Sequence, residues 1–389
     1  MLGGFIVIRW INPEELGLWQ SLMIAATYAP VFQFGITNGL NRDLPYMYGA
    51  GNHEKGLDLV ASAQSYTRIC TLGSILITSL LITIFILAGN HNFNLLMGIA
   101  GVGMIIAFRF YENFLAVTYR ANQSFRKLSY AYFLHFFLIM ISLPVVYYAR
   151  YTGLVIYQVF GSFSIMIIMH IIRPIRVSSI LHWSSLKELI KTGLPIYIIS
   201  YLQQISKSFG KIILLYFGGT LTVGLFSPAL AIHTAMIMLP RILAQYFYPK
   251  MSFSYGKNND KSLLWSWVWK ISFFIIAGSA IIIIPGWILM PYLIETFFPK
   301  YTDGILAAQL ALLSGAFAGA FVSSNVLGSI KDYKSWGVIT VIKLLLNFLL
   351  PVIFIKIMNP LNGVATGLLM ADIIVLLSSL LIIYRSLKK

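Results

Sequence analysis

Long apolar runs separated by short polar turns dominate the chain from end to end. A helix needs about 20 mostly apolar residues to cross a bilayer. Runs of that kind lie at roughly 18–39, 67–89, 94–117, 129–149, 152–172, 192–216, 221–247, 268–292, 304–328, 336–357 and 362–384. These eleven runs predict transmembrane helices. A twelfth opens the chain, but Met1 to Arg9 is long enough for only half a bilayer. No basic segment precedes it and no small-residue cleavage site follows, which argues against a cleaved signal peptide. No loop exceeds roughly 30 residues, so neither face carries a soluble domain. The segment Ile180 to Lys191 reads as an interfacial helix joining two halves. Trp183, Leu186 and Ile190 would face lipid, and Lys187, Glu188 and Lys191 water.

The halves resemble each other at a constant offset of 207 residues. Gly17-Leu18 matches Gly224-Leu225, Thr27 matches Thr234, and Tyr48-Gly49 matches Tyr255-Gly256. Lys127 matches Lys334, and Leu143-Pro144-Val145 matches Leu350-Pro351-Val352. Six spans per repeat is even, so the repeats are parallel. The expected fold is an all-α polytopic membrane protein, a twelve-span transporter of two six-helix bundles covering 1–178 and 179–389, with 180–191 as the linker helix. The offset sets Met1 against Ser208, within the seventh span. The first span is therefore expected to be truncated, the chain starting late.

Composition agrees with a bilayer. The 389 residues are 58% hydrophobic and 10% charged, against about a quarter charged in soluble domains. A soluble enzyme, a secreted disulfide module and a disordered chain are excluded. Cys70 stands alone, so no intramolecular disulfide exists. The net charge of +16, from 28 basic and 12 acidic residues, is mostly topological. Nineteen basic residues fall on one side of the spans and three (Arg150, Lys300 and Lys356) on the other. The basic side and both termini of the full-length protein are therefore expected in the cytoplasm, and nucleic acid is not an expected partner.

Eight charges remain inside the spans: Arg9, Arg109, Glu112, Lys207, Lys211, Arg241, Lys343 and Asp372. Each costs about 2.5–3.5 kcal/mol at a bilayer centre, so each calls for a cavity, a partner or an interface. Arg9, Lys211 and Arg241 lie near span ends, where they can snorkel. Arg109 and Glu112, three apart, share a helix face and suggest an internal salt bridge. Lys207 and Lys211 share a face with Tyr197, Tyr201, Gln204 and Ser208, a stripe suited to water or an anion. Lys343 and Asp372 would pair, or Asp372 would carry a coupling proton. Cations outnumber acids six to two in the spans, which fits an anionic cargo such as a phosphate or diphosphate headgroup. Arg109, Lys207, Lys211 and Lys343 are the candidate binding residues, and Glu112 and Asp372 are candidates for ion coupling or charge pairing. His135, His170 and His233 lack metal-ligand spacing and read as structural. No nucleotide loop, acyl-transfer elbow or zinc motif occurs, so no enzyme, metal or cofactor is expected.

Several stretches resemble a known family. Arg9 onward reads R-W-I-N-P-E-E-L-G-L-W and leads to F-G-I-T-N-G-L at Phe34–Leu40. Leu186–Leu194 reads L-K-E-L-I-K-T-G-L, and Lys211–Ala229 reads K-I-I-L-L-Y-F-G-G-T-L-T-V-G-L-F-S-P-A. Phe298–Leu312 and Asn362–Ala365 add to these. Together they resemble polysaccharide flippases of the O-antigen type, in the multidrug/oligosaccharidyl-lipid/polysaccharide exporter superfamily. The resemblance implies a bacterial inner-membrane protein that moves polyprenyl-diphosphate-linked oligosaccharides to the outer leaflet for surface polysaccharide such as O-antigen or capsule. It also implies lipid surroundings, with a proton or sodium ion and a glycan polymerase as further candidate partners. Family members often carry an Asp before the basic residue of the seventh span. Here Gly210 precedes Lys211, so that coupling role does not carry over.

Multidrug efflux would share the architecture but wants an acidic pocket. A lipid II flippase would differ in cargo alone. A membrane glycan polymerase or glycosyltransferase needs a sizeable outer loop with catalytic residues, and the longest outer loop here is about a dozen residues.

Overall fold

The computed structural model describes residues 2–258, 262–330 and 332–388. It is helical almost throughout, with no strand among the described residues. The α-helices are α1 (Leu2–Trp10), α2 (Pro13–Tyr28), α3 (Ile36–Gly49), α4 (His53–Leu87), α5 (Phe93–Ala121), α6 (Phe125–Ser142), α7 (Pro144–Ile171), α8 (Trp183–Leu225), α9 (Ser227–Asn258), α10 (Ser262–Phe297), α11 (Ile305–Ala320), α12 (Val326–Ser329), α13 (Tyr333–Ile355) and α14 (Pro360–Lys388). Among the described residues, eight helical segments are long and apolar enough to cross a membrane. The apolar stretches of α4 and α10 point almost wholly outward. Such surfaces are stable only against lipid. The protein is an all-α polytopic membrane protein.

Several expected spans are broken where the sequence reads as continuous. The run at 18–39 divides into α2, a 3₁₀ segment at Ala29–Gln33, and α3. Pro30 lacks an amide donor, and Phe34 and Gly35 adopt left-handed φ values of 46° and 75°. The Gly35 backbone lies against Gly193, where a Cβ on either residue would strike the other's backbone. The run at 129–149 ends its first helix at Ser142, and Pro144 opens α7, which turns sharply at Arg150 (φ 49°). At Gly219 (φ 71°), by contrast, α8 leaves helical geometry in the gap between the runs at 192–216 and 221–247.

Contacts divide the chain into two compact units, Leu18–Tyr201, and Met1–Gly17 with Leu202–Lys389. These limits differ from the halves 1–178 and 179–389 read from the sequence. The expected separate interfacial helix at 180–191 is not found. Residues 180–182 are not helical, and Trp183–Lys191 forms the first turns of α8. Its lipid-facing assignment fails at Leu186, which is 2% exposed and packs with Leu40, Leu44, Leu59 and Leu189. The reason is a set of polar ties that dock this segment on α4. Lys55 Nζ meets Glu188 Oε2 at 3.0 Å, Gln64 Nε2 donates to Ser179 Oγ at 2.8 Å, and the His182 amide donates to Ser62 Oγ at 3.1 Å. Burial of the leucine face and these ties together outweigh the interface.

In the other unit the opening residues are fixed to the late helices. Tyr301 donates from its hydroxyl to the Ile11 carbonyl at 3.0 Å, and Lys300 Nζ donates to Asn12 Oδ1 at 2.7 Å. Gly17 and Gly224, the pair matched in the repeat, lie at one crossing. A Cβ at Gly17 would collide with the Thr220 carbonyl, and one at Gly224 with the Pro13 carbonyl. Only glycine allows that approach.

Candidate functional site: a basic cavity in the C-terminal unit

A cavity of about 360 Å³ opens within the unit that holds Leu202–Lys389. Four helices supply its charges. Helix α8 contributes Lys207, α9 His233 and Arg241, α13 Lys343, and α14 Asp372. On α9, His233, Ile237 and Arg241 recur every four residues, so one face of the helix lines the space.

Asp372 is the hub. It is 8% exposed, and its carboxylate meets groups on three other helices. Oδ2 accepts from Ser314 Oγ at 2.6 Å, and His233 Nε2 lies 3.8 Å from the same oxygen. Oδ1 faces Lys343 Nζ at 3.9 Å. The Lys343 ammonium also sits over the Phe321 ring, 4.7 Å from its centroid, a favourable cation–π placement. Below it, Asn347 Nδ2 donates to Ser206 Oγ at 2.9 Å, and Asn347 Oδ1 is buried with no hydrogen-bond partner among the described residues. Lys207 lies within electrostatic reach of Arg241 and Lys343. Among the described residues neither Lys207 nor Arg241 closes an ion pair, so the cavity lining holds one carboxylate and three lysine or arginine side chains.

The residues singled out in the sequence separate into groups. The structure brings Lys207, Lys343 and Asp372 to one cavity, and Lys343 and Asp372 form an ion pair. Lys211, one turn beyond Lys207, is not in the cavity wall. Arg109 and Glu112 belong to the unit Leu18–Tyr201. They attract each other along α5, but no direct ion pair between them occurs among the described residues, which corrects the expected internal salt bridge. Three apart on a helix, they share a face, but their side chains need not meet head to head. Two cavity residues were missed or set aside. Arg241 read as a snorkelling residue near the end of a run at 221–247, yet α9 continues to Asn258 and leaves Arg241 mid-helix. His233 read as structural for want of metal spacing. Its four-residue steps to Ile237 and Arg241 were the available signal.

No family model matches the chain, and no curated protein matches it. Solved structures do. The chain is similar to an inward-facing multidrug resistance MATE family transporter of the MOP superfamily, at 16% identity and a TM-score of 0.74, covering 100% of this chain and 93% of that one. It is also similar to the lipid II flippase MurJ in an inward closed conformation, at 15% identity and a TM-score of 0.71, covering 100% and 85%. A MATE structure in the bent conformation aligns at 15% identity and a TM-score of 0.62, covering 100% and 90%. The chain shares the fold of these solved transporters and flippase.

Proposed function

We propose that this protein is a flippase of a bacterial inner membrane that moves polyprenyl-diphosphate-linked oligosaccharides from the cytoplasmic to the outer leaflet for surface polysaccharide synthesis. The observation that carries the reading is the cavity charge: Lys207, Arg241 and Lys343 against Asp372 alone, among the described residues. Uncompensated cations are costly in a bilayer, and a diphosphate repays that cost with charge-assisted hydrogen bonds. The volume of about 360 Å³ lies low in the range of about 300–1,000 Å³ for ligand sites. It suits a diphosphate with little sugar, while the prenyl chain stays in lipid. The bundles then alternate their access, and the headgroup leaves on the other side. Lys343 exchanges its Asp372 partner for phosphate during this cycle, and the freed carboxylate is the group that takes a coupling cation. Both termini of the full-length protein lie in the cytoplasm in this reading.

The MATE-like fold makes drug efflux the competing activity. A cationic drug calls for an acidic pocket, and the excess of basic groups disfavours it. The test is deletion of the gene followed by analysis of lipid-linked glycans and drug sensitivity. Accumulation of the oligosaccharide-bearing prenyl diphosphate on the inner leaflet supports the proposal. Normal glycan export with increased drug sensitivity overturns it.

A further inference from the structure

A second cavity, about 560 Å³ and open to the outside, lies in the unit Leu18–Tyr201 at the end that bears the basic loops. Its wall comes from the first turn of α6 and the segment that leaves α7. Arg126 and Lys127 approach from α6, Arg173 and Arg176 from beyond α7, and no carboxylate is among its lining residues. The excess of basic loops explains why cations are on this face. It does not explain why four converge on one concavity. Elsewhere on the face a cation does find an acid, as Lys55 finds Glu188.

Three features of the site call for an anion. The first turn of α6 is the positive end of a helix dipole, yet it carries two cations and no acid. Ser124, at the capping position, makes no side-chain bond to that turn and donates to the Asn122 carbonyl. Arg173 is held in place through Nη1, 2.7 Å from His170 Nδ1, and that ring nitrogen lies 2.9 Å from the Tyr111 hydroxyl. The Arg173 Nε is buried with no hydrogen-bond partner among the described residues. A planar guanidinium in the cavity wall suits a phosphate oxygen.

The surroundings indicate which anion. From the cavity mouth, Tyr130, Phe133, Phe137 and Ile141 climb one face of α6, all exposed. This apolar ladder begins where the cations end. We propose that the cavity binds the phosphate of an anionic phospholipid from the surrounding leaflet, with an acyl chain lying along the α6 ladder. The site is separate from the export cavity and does not depend on the flippase reading.

The test uses the full chain in phosphatidylcholine nanodiscs doped with phosphatidylglycerol, with bound lipid counted by native mass spectrometry and affinity titrated in mixed micelles. A basic residue near an anionic surface contributes about five-fold in affinity, so a double neutralisation lowers it about twenty-five-fold. Arg173→Gln/Arg176→Gln and, separately, Arg126→Gln/Lys127→Gln are expected to show that loss. Lys187→Gln/Lys191→Gln, which removes the same charge from the same face outside the cavity, is expected to keep wild-type affinity. Size-exclusion elution identifies any variant that fails to fold, and the Arg126/Lys127 pair is exposed at a helix start, where its loss is tolerated. Equal loss in the control pair, or no loss in either cavity pair, overturns the proposal. So does glycerol phosphate binding as tightly as phosphatidylglycerol, since the ladder would then contribute nothing. Binding of a prenyl diphosphate with no binding of phosphatidylglycerol also overturns it and reassigns the cavity to cargo.

Discussion

The pair formed by Lys343 and Asp372 permits a quantitative test. Across 3.9 Å, Coulomb attraction at an effective dielectric constant of about 20 is about 4 kcal/mol. Desolvation of both ions offsets much of this. With side-chain exposures of 21% for Lys343 and 8% for Asp372, the carboxylate is the drier partner and the ammonium keeps cavity water. Asp372→Asn preserves volume and an acceptor for Ser314 but leaves Lys343 with only the Phe321 ring. Its expected cost is about 3 kcal/mol, near the lower end for an ion stripped of a buried partner. Lys343→Met is expected to cost less, because Asp372 retains the Ser314 hydrogen bond and His233 at 3.8 Å. The double variant should fall short of the sum by about 1–3 kcal/mol, the coupling of a contacting pair. Reversible unfolding in mixed micelles, run on the wild type and all three variants, reads that coupling directly. Additivity within about 0.5 kcal/mol would show that the two charges do not support each other and would remove Asp372 from its place as the hub.

Lys207→Ala and Arg241→Ala should each lower export of lipid-linked glycan about ten-fold, the loss of one charge-assisted phosphate contact, with normal amounts of inserted protein; Lys207→Arg should keep part of the activity. Unchanged export in both alanine variants would refute the basic-cavity mechanism. Gly224→Val should destabilise the protein by about 1–3 kcal/mol through collision with the Pro13 backbone, while Gly278→Val, which meets open space, serves as the control in thermal unfolding. Reporter fusions at Asn90 and Asn122, at opposite ends of α5, should report opposite sides of the membrane, with Asn122 inside; both on one side would refute the topology.

The presence of the spans was legible because an apolar run of bilayer length has few other uses in a chain this poor in charge. Their breaks were not. Pro30 and Gly35 sit inside the apolar run at 18–39, and membrane helices tolerate both residue types when neighbours satisfy the backbone. Composition alone cannot say which glycine adopts a left-handed φ. Within the site, Lys343 and Asp372 stood out because charges in apolar runs are expensive. Arg241 was lost because the limits of an apolar run are not the limits of a helix: α9 continues well past hydrophobic residue 247 to Asn258, and apparent depth was measured from the wrong end. The Leu186 face was misassigned for a related reason. An amphipathic segment shows which side is apolar, but not whether lipid or the unit's own core covers it.

The internal repeat identified positions without fixing what they do. Gly17 and Gly224 match at the common offset, and both are small for one reason: each admits a backbone carbonyl at the same crossing. The matched prolines diverge. Pro144 is the first residue of α7, where its missing amide is one a helix start leaves free in any case. Pro351 lies buried within α13, where the lost hydrogen bond is a real gap in the helix. The two prolines therefore cannot serve as equivalent hinges. What α13 gains at Pro351 is close packing: the Pro351 backbone fills the place where a Cβ at Gly367 of α14 would sit. Bending at that point is opposed by its neighbour. Of the two regions, the one that follows Pro144 holds a break in helical geometry, at Arg150 with its positive φ.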